Sequence, residues 1–264
     1  MAHNHDLELT LFLWVEGYSP KRVAYYLLAK GLVASPTDLM AGVTSDPNLR
    51  INLIELRDGR LVDVNASDPR PAGKSTPCLR IVDRATGCTT WLHESATIPL
   101  YFEELYPDLG PLQGRLPLER AQMHDILAQY DMALAEGTNY LRNAAAVTTM
   151  WSGMRNEDRS LPVALHGKAS MVKSLCRMQD RANESLTATG WLTPGVNGPG
   201  IVDLSLAALA WYQHLCYGWD IFADESLGEL RRWYGRFKEL SWWVALEQSG
   251  VLKPFRYPEG SLEV

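Results

Sequence analysis

The sequence predicts an α/β domain followed by an all-α domain, and three observations support this division. The segment Leu7–Val15 alternates and then becomes continuously apolar, as a buried strand does, and a turn and a helical pattern follow it. Two more short strand patterns lie between residues 78 and 92. After a linker rich in Gly and Pro at residues 108–117, every apolar pattern has helical spacing. We therefore place the two domains at residues 5–109 and 116–264.

The composition is that of a globular protein and argues against several kinds of partner. Hydrophobic residues make up 46% of the 264 residues and charged residues 21%, and the formal net charge is −6. An acidic chain without a Lys/Arg cluster is not expected to bind nucleic acid, and its apolar segments are too short to cross a membrane. Four scattered cysteines without a Cys-x-x-Cys pair are typical of a reducing compartment. Because the first residues lack the pattern of a signal peptide, we expect a cytoplasmic protein.

His3 and His5 form a pair that could hold a divalent transition metal. Exposed chain termini are more often disordered than functional. We therefore expect any metal there to be incidental, and no metal to be required.

Turn and helix signals follow the first strand. Residues 16–20 have turn chemistry, and Ser19 as N-cap with Pro20 at the first helical position predicts a helix that Gly31 ends. Pro, Gly and Asp residues then interrupt the chain between residues 32 and 50. Within this interrupted segment we expect a helical turn at Thr37–Ala41. After it we expect a strand at Ile51–Leu56 and an irregular stretch at Arg57–Ala72.

The stretch from residue 73 to 107 has the most specific pattern of the chain. Thr76–Pro77 precedes a strand at Cys78–Asp83, and a threonine before a proline in that place allows a cis peptide bond. A second strand, Thr89–Leu92, leads to Glu94–Ser95, where we expect a helix to begin and to run as far as the proline at 107. The free N–H groups and the positive dipole end of such a helix suit an anionic ligand group.

The second half of the chain is predicted to be helical throughout. Asp203 stands three residues after Gly200, so that half of a capping box remains and the Asp203 carboxylate accepts from the Gly200 N–H. The predicted helices are 118–155 with a bend at Gly137, 163–187, one whose apolar stripe runs from Leu204 to Leu215, 226–243, and 245–252.

Two linked motifs give the first half a family resemblance. Gly-Lys-x-x-Pro-x-Leu from residue 73 and Glu-Ser-Ala-x-Ile-x-x-Tyr-x-x-x-x-Tyr-Pro from residue 94 together resemble the thioredoxin-like half of soluble glutathione transferases. The resemblance implies a thioredoxin-like N-terminal domain with a mixed sheet, an all-helical C-terminal domain, glutathione as cosubstrate or cofactor, and a homodimer. The long segment after the first helix and the unusual turn before it resemble divergent fungal members that serve secondary metabolism.

The resemblance also implies which residues bind glutathione. At Thr76–Pro77, the backbone of the threonine would pair with the cysteinyl part of glutathione. Glu94–Ser95 would hold the γ-glutamyl carboxylate and amine. Lys74 or Arg70 would be the cation that faces the glycyl carboxylate.

A hydroxyl at the turn before the first helix is implied as the activator of the glutathione thiol, because the thiolate is the nucleophile. Alignment on Pro20-Lys21-Arg22 puts Tyr18 at the usual serine position with Ser19 one residue on, whereas alignment without that anchor puts Gly17 there. Tyr18 and Ser19 are thus both catalytic candidates. The alternative is that Ser19 only caps the helix and Tyr18 packs against the second domain. Glu16 would oppose thiol ionisation by its charge, act as a general base, or point to solvent.

The second substrate is implied to be an apolar electrophile, such as a secondary metabolite, in the cleft between the domains. Tyr130, Met150, Trp151 and Met154 are the candidates for lining that cleft. Besides conjugation, two other functions stay open. One is cis–trans isomerisation of a carbon–carbon double bond by reversible thiol addition. The other is a non-catalytic dimerisation module, which the lack of an unambiguous activating residue at the turn favours.

Overall fold

The computed structural model describes residues 6–248, which fold into two compact units. The first consists of residues 6–112 together with 238–248, and the second of residues 113–237. Within the described residues no helix is long and apolar enough to cross a membrane. The candidate metal ligands His3 and His5 lie outside the described range, as does the second half of the helix predicted at 245–252.

Five strands form the sheet of the first unit: β1 (Leu7–Leu13), β2 (Leu49–Arg57), β3 (Arg60–Asp63), β4 (Cys78–Asp83) and β5 (Thr89–Leu92). Their order across the sheet is β3-β2-β1-β4-β5. β1 and β2 pair parallel and the other neighbours pair antiparallel, so the sheet is mixed. β1 lies at its centre, and its side chains Leu9, Leu11 and Leu13 are fully buried.

The first three helices lie between these strands: α1 (Tyr18–Lys30), α2 (Pro36–Ala41) and α3 (Thr97–Leu105). α2 confirms the helical turn predicted in the segment after α1. It forms there because the Ser35 hydroxyl caps it, accepting from the Asp38 N–H at 3.1 Å, and because a proline occupies its first position.

The first helix starts earlier than predicted. Gly17, in an extended conformation, is its N-cap, and the Gly17 carbonyl accepts from the Lys21 N–H at 2.8 Å. Ser19 is therefore inside the first turn, and the prediction that it caps the helix is wrong. Pro20 is tolerated as the third helical residue because a missing N–H loses no hydrogen bond in the first turn. Gly31 ends the helix with a φ of 76°, as predicted.

The strand β3 was not predicted, and it forms a hairpin with β2. Asp58 and Gly59 make the turn, with φ values of 50° and 74°. A two-residue turn of type I′ needs positive φ at both of its residues, and Asp-Gly is one of the pairs that accept it. The stretch Arg57–Ala72 is therefore not irregular throughout, and the Asp-Gly pair was the available signal.

The second unit is helical in the described chain, with helices α4 (Pro117–Ala144), α5 (Thr149–Ser152), α6 (Leu161–Thr189), α7 (Ile201–Tyr217) and α8 (Gly228–Phe237). The helix predicted at 118–155 thus ends at residue 144. α4 and α6 pack closely where they carry glycines: a Cβ on Gly167 would lie 2.9 Å from the Glu136 carbonyl oxygen, and one on Gly137 2.7 Å from the Met171 sulfur. These two glycines permit the close approach of the two longest helices.

The start of α7 confirms the predicted half capping box. The Asp203 carboxylate accepts from the Gly200 N–H at 3.0 Å. It also accepts from the N–H groups of Leu192 and Thr193 and from the Trp233 indole at 2.7 Å. Because a buried carboxylate needs such donors, Asp203 joins the loop before α7 to the helix α8.

The helix predicted at 226–243 is divided. α8 ends at Phe237, and a ninth helix, α9 (Ser241–Glu247), packs beside α1 and α2 in the first unit. The Glu247 carboxylate lies 3.2 Å from the Lys21 ammonium and accepts from the Tyr25 hydroxyl at 3.0 Å. Residues 238–248, expected in the second domain, therefore pack in the first unit.

Candidate functional site

Three segments meet at one edge of the sheet, which we call the site edge. β1 ends there, and β4 begins there because it runs antiparallel to β1 with Phe12 opposite Cys78. β5 ends there because it runs antiparallel to β4 with Leu92 opposite Leu79. The site edge therefore gathers residues 14–19, 74–77 and 93–95, which include most of the predicted glutathione-binding and catalytic residues.

Thr76 joins two of these segments through its side chain. Its hydroxyl donates to the Phe12 carbonyl at 3.1 Å and accepts from the Trp14 N–H at 3.1 Å. The Thr76–Pro77 peptide bond is cis, as predicted. Within residues 6–248 the backbone N–H and C=O of Thr76 make no hydrogen bond. Both groups are therefore available to pair with another backbone.

Glu94 and Ser95 occupy the turn before α3. The Glu94 carbonyl accepts from the N–H groups of Thr97 at 2.9 Å and Ile98 at 3.2 Å, and the helix proper begins at Thr97, three residues later than predicted. The Glu94 side chain is exposed, whereas Ser95 is only 6% exposed. Neither side chain has a hydrogen bond or an ion pair with the described residues. A carboxylate and a hydroxyl thus stand unpaired at the start of a helix.

The turn that begins α1 has no room for a side chain at Gly17. A Cβ there would lie 2.5 Å from the ring of Trp14, whose indole N–H donates to the Glu16 carboxylate at 3.3 Å. Tyr18 and Ser19 are the first two residues of α1, and both are half-buried. Tyr18 and Ser19, the two candidates for activating the thiol, therefore come immediately after Gly17. The packing of the Trp14 ring against this turn was not predicted. The glycine at position 17 is the sequence feature that indicates it.

The two predicted cations have different surroundings. The Arg70 guanidinium donates to the Asp63 carboxylate at 3.3 Å and to the carbonyls of Leu61 at 2.8 Å and Lys74 at 2.6 Å. Arg70 thus holds the loop after β3 in place. The Lys74 side chain is exposed and has no ion pair within the described range, so it is the more available of the two.

The candidates for the second-substrate site are only partly brought together. Met150 and Trp151 lie in α5 and are 74% and 42% exposed, and Met154 follows shortly after. The Trp151 indole donates to the Tyr217 hydroxyl at 3.1 Å. Tyr130, by contrast, is fully buried within α4. Three of the four candidates thus share one surface segment, and Tyr130 belongs to the core.

The cysteine beside the cis-proline is not a nucleophile. Cys78 is buried, and burial raises its pKa to about 11 because the thiolate is poorly solvated there. It therefore remains a thiol at neutral pH. Among residues 6–248, no group of three or more His, Cys, Asp or Glu side chains is placed to hold a metal ion.

No protein-family model matches the chain, and no curated protein matches it. Solved structures do match. A glutathione transferase family member from Pseudomonas fluorescens Pf-5 with bound glutathione has a TM-score of 0.61 at 18% identity, over 90% of this chain and 98% of that one. Maleylacetoacetate isomerase from Anaeromyxobacter dehalogenans 2CP-1, with glutathione bound in its active site, has a TM-score of 0.56 at 18% identity, over 91% and 95%. The trimeric glutathione transferase TDR1 of Leishmania has 0.58 at 14% identity, over 91% of this chain and 45% of that one, so this chain spans about half of its length.

The fold is that of glutathione transferases. This confirms the predicted class, a thioredoxin-like N-terminal unit with a mixed sheet and an all-helical second unit. Within the glutathione transferase fold of this chain, the site edge consists of the β1–α1 turn, the cis-proline segment and the β5–α3 turn.

Proposed function

We propose that this protein binds glutathione at the site edge and uses its thiolate on an apolar electrophile. The observation that supports the proposal is at the β5–α3 turn, where the exposed Glu94 carboxylate and the hydroxyl of the mostly buried Ser95 make no hydrogen bond with residues 6–248. An α-amino acid group presents an ammonium and a carboxylate. Glu94 would pair with the ammonium, and the Ser95 hydroxyl with the N-terminus of α3 would bind the carboxylate.

The backbone of Thr76 supports the same orientation of the ligand. Its N–H and C=O make no hydrogen bond in the described chain. A peptide that lies along the edge would satisfy both at once, with its cysteinyl residue beside the start of α1. Lys74 is the cation we assign to the far carboxylate, because Arg70 is already bonded to Asp63 and two carbonyls.

Activation of the thiol is assigned to the first turn of α1. Ser19 and Tyr18 are its first residues, where the helix dipole favours a thiolate and a hydroxyl can donate to the sulfur. The Ser19 hydroxyl makes no hydrogen bond within residues 6–248, whereas Tyr18 already has another interaction. Conjugation to an apolar electrophile, with a secondary metabolite as the proposed substrate, needs only this thiolate. Isomerisation of a double bond by reversible thiol addition needs nothing further.

A second candidate, a binding module without catalysis, is favoured by the crowding at Gly17. A side chain at that position would require the Trp14 ring to shift, and the Glu16 carboxylate next to it would oppose an anion. For both functions we propose a cytoplasmic homodimer. Light scattering of the purified protein would test the homodimer by measuring its mass in solution.

Calorimetric titration with glutathione tests the binding site. Glu94→Ala and Ser95→Ala should each lower the affinity by at least about tenfold, the loss expected for one charge-assisted hydrogen bond. Glu104→Ala is the matched control, because Glu104 is an exposed glutamate of α3 outside the turn, and it should leave the affinity unchanged. Unchanged affinity in both turn variants would refute the assignment.

The ultraviolet absorbance of the thiolate, followed against pH with glutathione bound, separates catalysis from binding alone. A catalytic site should lower the thiol pKa, and Ser19→Ala or Tyr18→Phe should restore the pKa of free glutathione without abolishing binding. Bound glutathione with an ordinary thiol pKa in the unmodified protein would favour the non-catalytic module.

A further inference from the structure

The loop between α6 and α7 contains an Asn-Gly pair, Asn197–Gly198, and the sequence has no other. In such a pair the glycine nitrogen can attack the asparagine side chain, because glycine has no Cβ to hinder the approach. In a folded protein the attack also requires that the structure leaves both residues free. Nothing in the proposed glutathione chemistry uses this loop.

The loop is fixed at its two ends and not between them. At one end the Thr193 hydroxyl donates to the Asp203 carboxylate at 2.7 Å, and at the other the Gly200 N–H donates to the same carboxylate at 3.0 Å. Between these anchors, residues 194–199 make no hydrogen bond with residues 6–248. An attack by a backbone nitrogen of this stretch therefore breaks no hydrogen bond within the described chain.

Both reacting residues are accessible. Asn197 is exposed and Gly198 is half-buried. A Cβ on Gly198 would meet no atom within 4 Å, so the space beside this residue is open. The Asn197 side-chain amide makes no hydrogen bond with the described residues, so it is free to turn towards the Gly198 nitrogen.

Asn65, in a loop of the first unit, provides a contrast. It is exposed as Asn197 is, but its side-chain oxygen accepts from the Ser67 N–H at 3.2 Å and from the Ser67 hydroxyl at 2.7 Å. The residue that follows it is Ala66, whose Cβ hinders the backbone nitrogen. The two asparagines thus differ in the freedom of the side chain and in the neighbouring residue, and not in exposure.

We propose that Asn197 is a modification site, at which the side-chain amide converts to a carboxylate in the folded protein without an enzyme. The Gly198 nitrogen gives its proton to a solvent base and forms a bond with the Asn197 side-chain carbonyl carbon. The bond from that carbon to the side-chain nitrogen breaks, and ammonia leaves with a proton from solvent. A succinimide ring remains.

Water then adds to one of the two ring carbonyls and opens the ring. The product is aspartate when the original main-chain bond is kept, and isoaspartate when the chain stays linked through the side-chain carbonyl. Each product has a carboxylate in place of a neutral amide, and no oxidant or reductant takes part. The modification therefore adds one negative charge to the loop.

The added charge would lie close to an existing carboxylate. Glu119 of α4 packs against Gly195, where a Cβ would lie 2.4 Å from the carboxylate oxygen, and it accepts from the Leu116 N–H at 2.9 Å. Asn197 is two residues from Gly195, at most about 7 Å along an extended chain. This is within the Debye length of about 8 Å at physiological ionic strength. Repulsion between the two carboxylates should weaken the bond from Glu119 to the start of α4.

Incubation of the purified protein at mildly alkaline pH tests the site, with peptic digestion at acidic pH and peptide mass spectrometry as the measurement. Electron-transfer fragmentation separates isoaspartate from aspartate. Asn197 should convert in the native protein at a rate within about fivefold of that in urea, since breaking even one hydrogen bond first would slow it by that factor. Asn65 should stay unmodified over the same time. Conversion of Asn197 in urea but not in the native protein would overturn the proposal.

Two variants test the route. Gly198→Ala should lose most of the conversion, because the new Cβ hinders the attacking nitrogen; the site has space for it and the backbone is not in the left-handed region. Asn197→Gln should abolish conversion at this position, because its longer side chain closes a larger ring. Undiminished conversion in Gly198→Ala would refute attack by the glycine nitrogen.

Asn197→Asp reproduces the charge of the aspartate product. Hydrogen exchange of residues 113–120, measured by mass spectrometry, should be faster in this variant than in the unmodified protein. The difference should shrink as salt is added, because salt screens the repulsion. Asn65→Asp adds the same charge in the first unit and should leave exchange at the start of α4 unchanged. Equal exchange in Asn197→Asp and the unmodified protein would refute the effect on Glu119.

Discussion

Helix α1 carries a buried lysine near each end, and each lysine faces a buried glutamate of another helix. Lys30 lies 2.8 Å from Glu103 of α3, and Lys21 lies 3.2 Å from Glu247 of α9. In both pairs the side chains are at most 3% exposed. The two pairs differ in the other groups that they contact. Lys30–Glu103 lies within the core of the first unit, whereas Lys21–Glu247 attaches a segment that is distant in sequence.

The Lys30–Glu103 pair is part of a larger hydrogen-bonded cluster. The Lys30 ammonium also donates to the carbonyls of Leu109 and of the residue after it, each at 3.2 Å. Glu103 accepts from the Tyr26 hydroxyl at 2.8 Å and from the Leu112 N–H at 3.0 Å. Burial and the Glu103 charge raise the pKa of Tyr26 far above its ordinary value, so its hydroxyl stays a donor. The cluster fixes the chain that follows α3 onto α1.

The Lys21–Glu247 pair joins residues 226 positions apart. Two further hydrogen bonds connect the same two helices: the Tyr25 hydroxyl donates to Glu247, and the Trp243 indole donates to the Tyr25 hydroxyl at 3.1 Å. Burial raises the pKa of Glu247 despite the opposing effects of Lys21 and Tyr25. This pair therefore holds one short helix, α9, against α1, and we expect that helix to detach at a lower free energy than the sheet unfolds.

The largest effect is expected for Glu103→Ala. The change leaves Lys30 buried without its counter-charge and removes the acceptor of Tyr26 and Leu112, so the free energy of unfolding should fall by about 3–5 kcal/mol. Urea unfolding of the purified protein measures it, and Glu104→Ala, at the exposed neighbour, should stay within about 0.5 kcal/mol. Glu103→Gln, which keeps an acceptor, should fall between the two. A loss below about 1 kcal/mol in Glu103→Ala would contradict the central role of this cluster.

A smaller and more local effect is expected for Glu247→Ala. The cost of removing the carboxylate beside Lys21 is limited to the free energy that detaches α9, because detachment of this helix exposes the lysine to water. Hydrogen exchange should therefore lose protection in residues 241–248 and at the start of α1, while the sheet keeps its protection. If exchange accelerates in β1 and β4 to the same degree, the two pairs do not differ as described.

Much of the first unit was predictable because local chemistry determines it. Alternating apolar residues specify β1, the proline and the apolar run specify β4, and the Ser35-Pro36 cap specifies α2. The β-pairing then brings Thr76 and Glu94–Ser95 to one edge, so this part of the candidate site followed from the strands. The strand β3 was not predicted because its four residues are too few to show an alternating apolar pattern. The Asp-Gly turn before it is the one local signal of this hairpin.

The rest depends on contacts between distant residues that leave no local pattern. The packing of the Trp14 ring on Gly17 leaves little space for a side chain at position 17, and no spacing rule in the sequence predicts this contact. The return of α9 to the first unit depends on Glu247 meeting Lys21, two ordinary charged residues when read along the chain. For that reason the sequence placed residues 238–248 with the helical domain.

The smallest effect concerns pH and again separates the two pairs. The pKa of Glu247 is raised on folding, so the folded state binds this proton more tightly than the unfolded state. Its contribution to holding α9 is thus fully present below the ordinary pKa of a glutamate and is lost as the pH rises through the raised value. After correction for intrinsic exchange rates, protection of α9 amides should fall as the pH rises from below the ordinary pKa of a glutamate through the raised value. Glu247→Gln should remove this dependence, and protection that instead rises over the same range would contradict the direction of the shift.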